Sequence, residues 1–220
     1  MKLLNVIAEV IRRLDEQYGV KIWERWREPV GELIRTILSQ NTTDTNSLRA
    51  YANLTERFKN WDDVLKAEDS EIVKEIRLGG LANTKARKIK KSLAEIKKRE
   101  GKIDLEFLSS LTLAEAEKYL VSLDGVGPKT AACVLIFSFN MPIMPVDTHI
   151  HRLSNRIGLV STKSREETQE QMKGLIPEND IYSFHINLIE HGRKVCKAAK
   201  PLCGNCFLTD LCTYYKQNFT

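Results

Sequence analysis

The sequence is short of several things, and each shortage excludes a class of protein. No run of apolar residues approaches the roughly 20 that a bilayer-spanning helix needs, so no membrane partner is expected. Met1-Lys2-Leu3 begins no secretory leader, which makes an intracellular location, cytoplasm or nucleoid, the expectation. No segment alternates apolar and polar residues with the period of a half-buried strand, so the chain reads as all-α. Repeats, low-complexity tracts and long linkers are missing too. Cysteine is scarce, five in 220 residues, yet four of the five fall within the last 25.

What is present describes an ordinary soluble protein, 42% hydrophobic and 29% charged, long enough for one large domain or two small ones. Residues 3–18 repeat Leu3, Val6, Ile7, Val10, Ile11 and Leu14 at helical spacing, with Gly19 just beyond the end. Pro29 opens a second helix with Val30, Leu33, Ile34, Ile37 and Leu38 as its buried stripe. A polar turn, Ser39 to Asp44, leads to a third helix capped by Thr43 or Asp44. Two short helices are expected over 61–78, the second capped by Ser70, then a tight turn at Gly79-Gly80-Leu81. A basic helix follows over about 84–99, with Ile89, Leu93 and Ile96 inward and the lysines outside.

The most informative chemistry lies in residues 112–157. Thr112 and Glu115 form a capping box, and the helix they start should stop near Leu123. Gly125 and Gly127 bracket Val126 in a turn that needs positive φ or close backbone approach. Pro128 then suits the first position of a new helix. The product is helix, Gly-Val-Gly hairpin, helix, whose amides at a helix N-terminus favour a phosphate. Lys129 sits one residue inside, where the positive helix end disfavours an ammonium. A deprotonated lysine can attack an electrophilic carbon and form a Schiff base, and the plainer alternative is a phosphate contact. Eighteen residues on, Asp147 in Pro145-Val146-Asp147-Thr148-His149 is placed to N-cap the next helix. A lysine and a carboxylate at two helix starts, separated by one apolar helix, could serve one cleft.

Net charge is +5, and its distribution is uneven. Residues 85–102 carry nine basic side chains against two acids, and residues 193–200 carry four against none. Such fields suit a phosphate backbone, although a solvated helix face reads the same way. Cys196, Cys203, Cys206 and Cys212 are spaced C-x6-C-x2-C-x5-C, a set able to hold Zn²⁺ or a [4Fe–4S] cluster. The short basic loop between the first two, with Lys197 and Lys200, would make a phosphate clamp once tied at both ends. Cys133 lies in an apolar stripe and reads as a buried core thiol.

LDGVGPKTAACVL followed by PVDTHIHRLSNRIG resembles the helix–hairpin–helix DNA glycosylases of the endonuclease III branch. The hairpin form is also similar to the glycosylase domains of plant 5-methylcytosine excision enzymes. The resemblance runs from Ser39 to Cys212 and implies two helical domains with a DNA cleft between them. One is a six-helix domain over 25–137, the other a discontinuous cluster domain of 1–24 and 138–220. It implies Lys129 as nucleophile, Asp147 as second catalytic residue, and the four cysteines as ligands of a [4Fe–4S] cluster. The hairpin (Gly125, Val126, Gly127), His149, Lys197 and Lys200 are implied as DNA contacts. Gln40 or Asn41 would fill the gap left by a flipped base, and Leu81 would wedge into the opposite strand.

The implied activity is excision of a damaged, oxidised pyrimidine from double-stranded DNA, with β-elimination at the resulting abasic site, by a monomer. Two alternatives remain at this point: a monofunctional mismatch glycosylase acting on thymine, uracil or adenine, and a non-catalytic DNA-binding module with a structural metal.

Overall fold

The structure, a computed structural model, describes residues 3–219. The regular structure of those residues is all helical, with no strand. None of their helices is long and apolar enough to cross a membrane. The chain divides into two compact units, Arg25–Phe139 and the pairing of Met1–Glu24 with Asn140–Thr220.

The Arg25–Phe139 unit holds α2 (Pro29–Ser39), α3 (Asp44–Arg57), α4 (Trp61–Lys66), α5 (Asp69–Ile76), α6 (Ala82–Glu100), α7 (Leu113–Val121) and α8 (Pro128–Phe139). At its centre α2 packs on α8 and α3, which is why Val30, Leu33, Ile34, Ile37 and Leu38 are all buried as their spacing predicts. Helix starts follow local chemistry. The Thr43 hydroxyl accepts from Asn46 N–H, and the Thr112–Glu115 capping box forms as expected. The Ser70 cap does not form. The start of α5 moves to Asp69, where Glu71 accepts the Glu68 N–H at 3.2 Å, and Ser70 falls inside the helix. The expected outward lysines of α6 also need correction, because Lys85 is 2% exposed and points into the core.

One acid is enclosed in this unit. Glu32 on α2 is 5% exposed, accepts from the Thr36 hydroxyl at 3.3 Å and lies 3.5 Å from the Arg27 guanidinium. Burial pushes its carboxyl above the ordinary value of 4.5, against the pull of Arg35 and Arg27. A raised folded value favours the protonated form. Its stabilising contribution is therefore present below pH 4.5 and is lost as pH rises through the raised value. Glu32→Gln should accordingly gain melting temperature relative to the parent as pH is raised from 4.5 to neutrality. A difference that stays flat across this range would show that the acid's ionisation is not coupled to folding.

The second unit holds α1 (Leu3–Tyr18), α9 (Thr148–Ile157), α10 (Arg165–Met172), α11 (Ile181–Lys194) and α12 (Thr213–Phe219). Helix α11 packs on α1 and α9, and α9 also meets α10 and α12. Val10, Leu14, Leu153, Phe184 and Leu188 are fully enclosed. Asp15 ties α1 to α11 by accepting from Ser183 Oγ and Asn187 Nδ2, each at 2.8 Å.

Candidate functional site

The hairpin is built by the end of α7, Gly125 and the start of α8. Gly125 has φ 77°, and a Cβ there would stand 2.8 Å from the Lys88 side chain, so both reasons for glycine apply. Gly127 lies outside the left-handed region, and a Cβ there would meet nothing within 4 Å, which leaves its surface open. Val126 anchors the turn: its side chain is 4% exposed and its N–H donates to Leu123 O at 3.1 Å. From behind, Ser92 Oγ donates to Asp124 O at 3.2 Å and Lys91 pairs with the Asp124 carboxylate at 2.8 Å.

Lys129 follows Pro128 at the N-terminus of α8 and is half-buried. One turn on, Cys133 is buried as expected. Burial pushes its thiol up, and the nearby Lys129 ammonium pulls the other way. Gln40 is held rather than free, since its Oε1 accepts from Lys88 Nζ at 3.1 Å and its Nε2 donates to Thr130 Oγ1 at 3.4 Å. Asn41 is exposed, with φ 53°. Leu81 has φ 49° and is 58% exposed. A leucine in the left-handed region is uncommon and needs its surroundings to hold it there.

The basic helix is less available to a polyanion than its sequence suggests. Seven of the nine basic residues in 85–102 already have partners within the fold: Lys85, Lys88, Lys90, Lys91, Lys97, Arg99 and Lys102. Neighbouring acids that look distant in sequence, such as Asp62 for Lys97 and Asp69 for Lys90, take up the charge.

In the other unit, Asp147 caps α9 as the sequence predicts, its Oδ1 accepting from Ile150 N–H at 2.8 Å. His149 is half-buried, with Nδ1 accepting from Arg152 at 3.0 Å, and burial lowers its pKa. Gly192 must be glycine beside it, because a Cβ there would lie 2.8 Å from that Nδ1.

Sequence reasoning missed two arginines on α9. Arg152 donates to Cys196 O at 2.9 Å and Gly192 O at 3.1 Å, while Arg156 donates to Lys197 O and Ala198 O, each at 2.8 Å. Their spacing of four residues puts both on one helix face, which is the only signal the sequence offered. Together they hold the loop whose exposed Lys197 and Lys200 face solvent.

Cys196, Cys203, Cys206 and Cys212 line one small cavity with Arg156, Pro201, Leu202 and Tyr214. Among the described residues no three His, Cys, Asp or Glu side chains stand together as a ready single-ion site. The donor chemistry nevertheless fits a cationic group. Burial pushes the Cys206 thiol up to about 11 and raises Cys212, so ionising the set calls for compensating positive charge. His191, just ahead of the cysteine run, makes a contact with it that only the fold reveals. It is 2% exposed, burial lowers its pKa to about 4, and its neutral ring lies between the Tyr18 hydroxyl (3.0 Å from Nδ1) and Cys206 Sγ (3.4 Å from Nε2). Accepting from Tyr18 leaves Nε2–H to donate to sulfur.

Residues 34–178 match the family described as HhH-GPD superfamily base excision DNA repair protein, so the chain is a base excision DNA repair protein of the helix–hairpin–helix class. Endonuclease III of Thermotoga maritima is 36% identical over 97% of this chain and 93% of its own length. A structure of endonuclease III trapped as a covalent intermediate with DNA, an estranged-adenine complex, superposes with a TM-score of 0.85 at 27% identity, covering 100% of both chains. A thermostable thymine-DNA glycosylase gives 0.81 at 26% identity, covering 98% of each. The chain belongs to the endonuclease III family.

Proposed function

We propose that Lys129 is the nucleophile and Asp147 the second catalytic residue of a bifunctional DNA N-glycosylase/AP lyase acting on oxidised pyrimidines. The class of reaction comes with the family: the chain is a base-excision repair enzyme whose partner is double-stranded DNA with a damaged base or abasic site. The observation that carries the residue assignment is Lys129 directly behind the glycine hairpin, in a chain that matches endonuclease III over nearly its whole length.

In this reading the open surface at Gly127 and the exposed Lys197 and Lys200 take backbone phosphates. His149 joins them, donating from Nε2, because its Nδ1 already accepts from Arg152. Asn41, exposed and left-handed, fills the vacated base position, and Gln40, tethered to Lys88 and Thr130, supports it from behind. Leu81 enters the opposite strand. The Lys129 amine attacks C1′, the glycosidic bond breaks, and the base leaves with its electron pair. The aminal so formed opens as the C1′–O4′ bond breaks and O4′ takes a proton. The resulting Schiff base lowers the barrier to loss of a 2′ proton, after which the C3′–O bond breaks and the phosphate departs. Asp147 stabilises positive charge developing on the sugar or helps deprotonate the lysine.

Cys196, Cys203, Cys206 and Cys212 hold a [4Fe–4S] cluster in a structural role, with the His191 N–H and the Arg156 guanidinium directed at its thiolates. A chromosomal, nucleoid location accompanies such work.

The likeness to a thymine-DNA glycosylase favours a second reading, a monofunctional mismatch enzyme that activates water. Borohydride reduction on abasic duplex separates the two. A covalent protein–DNA adduct is expected here, and absence of any adduct under conditions of full binding would select the monofunctional reading. Incision across duplexes bearing thymine glycol, uracil or mismatched thymine would then name the substrate, with thymine glycol expected to be cut fastest.

A further inference from the structure

Among the described residues Lys85 is the lysine that the fold encloses, 2% exposed. Its Nζ donates to Leu38 O at 2.6 Å and to Gly79 O at 2.8 Å. A buried ammonium is expensive unless bonded, and an apolar side chain of similar volume would fill the same slot at less cost. The two carbonyls belong to different helical segments, each leading into a turn. Leu38 lies in the last turn of α2, three residues before Asn41, and Gly79 precedes Leu81 by two. Their backbones come close, for a Cβ on Gly79 would stand 3.8 Å from Leu38 O and 3.3 Å from the Ala50 methyl. Beyond each gripped carbonyl the chain passes through a left-handed non-glycine residue, Asn41 at φ 53° and Leu81 at φ 49°. The Lys85 N–H also donates to Leu81 O at 2.9 Å, so one residue holds the turn through main chain and side chain together.

We propose that Lys85 is a positioning residue whose buried ammonium clamps the Gln40–Asn41 loop and the Gly80–Leu81 turn into one device, inserted into the duplex as a unit. The inference rests on Asn41 and Leu81 being the inserted side chains. Strained loops keep their shape only where neighbours fix them, and a fixed pair loses little freedom on binding. Disconnecting them leaves two independent loops, each of which must be ordered against stacked bases.

The test uses the full-length protein and a duplex with thymine glycol opposite 2-aminopurine, whose fluorescence rises on unstacking. In Lys85→Met, single-turnover excision should fall roughly tenfold and the fluorescence rise should be lost, while cleavage of a single-stranded abasic oligonucleotide keeps the parental rate. Adding Leu81→Ala to Lys85→Met should cost little more. Equal slowing on single and double strands would make Lys85 a general structural residue and overturn the proposal. So would a parental rate in Lys85→Met when Leu81→Ala alone is slow, a result that leaves the insertion assignment intact. If neither Leu81→Ala nor Asn41→Ala slows duplex excision, that assignment fails and the clamp with it. Should Lys85→Met not fold, the cycle of Leu81→Ala with Asn41→Ala decides: coupled loops give non-additive losses, and additive losses reject the clamp.

Discussion

Lys129→Gln is expected to abolish borohydride trapping and to slow strand cleavage at abasic sites by at least about a thousandfold, with affinity for the duplex retained. Glutamine is close to lysine in length and in helix propensity. The helix does not depend on the lysine, because α8 starts at Pro128 and buries Thr130 to Ile136 without a break. Only the amine is lost. A purified variant that still nicks abasic DNA at the parental rate would remove Lys129 as nucleophile. The companion change, Asp147→Asn, separates charge from structure. Asparagine caps a helix as well as aspartate does, so the bond to Ile150 N–H should survive. Excision of the base should nonetheless fall about a hundredfold, because no carboxylate remains beside the developing charge. An excision rate left at the parental value in that variant would instead assign Asp147 to capping alone.

The second large effect is expected at the cysteines. Cys206→Ser should purify without the brown colour and visible absorbance of an iron–sulfur protein, and melt roughly 10 °C or more below the parent. The local reason is that Cys206 connects the cavity to the core through His191, Tyr18 and Phe207. Losing one ligand releases the loop that Arg152 and Arg156 hold, and with it the fixed placement of Lys197 and Lys200. Duplex affinity should drop about tenfold, and its dependence on salt should become shallower, because fewer phosphates are neutralised and fewer counterions released. A parental protein that carries one zinc and no iron would overturn the cluster assignment while leaving the staple in place.

Much of this could be read from the chain because its signals are local. Capping boxes, a proline at a helix start, a glycine forced by its φ and a cysteine spacing each involve residues within a few positions of one another. Thr112, Pro128, Gly125 and Asp147 therefore behave as their neighbours dictate. Ser70 shows the limit of that logic, since several polar residues close in sequence compete for one cap and Glu68 with Glu71 takes it.

By itself, then, the sequence determined the helices, most of their ends, the hairpin with its lysine, and the gathering of four cysteines in the C-terminal loop. Tertiary structure decided which charges are available and which are consumed. Lys85 reads like any other lysine of a basic helix, yet its partners are carbonyls 47 and 6 residues away. Arg152 and Arg156 likewise bond to main chain some 40 residues on. A backbone carbonyl carries no signature of its residue type, so no pattern of letters announces that a side chain will be needed to satisfy it. Only the folded path of the chain brings the two together.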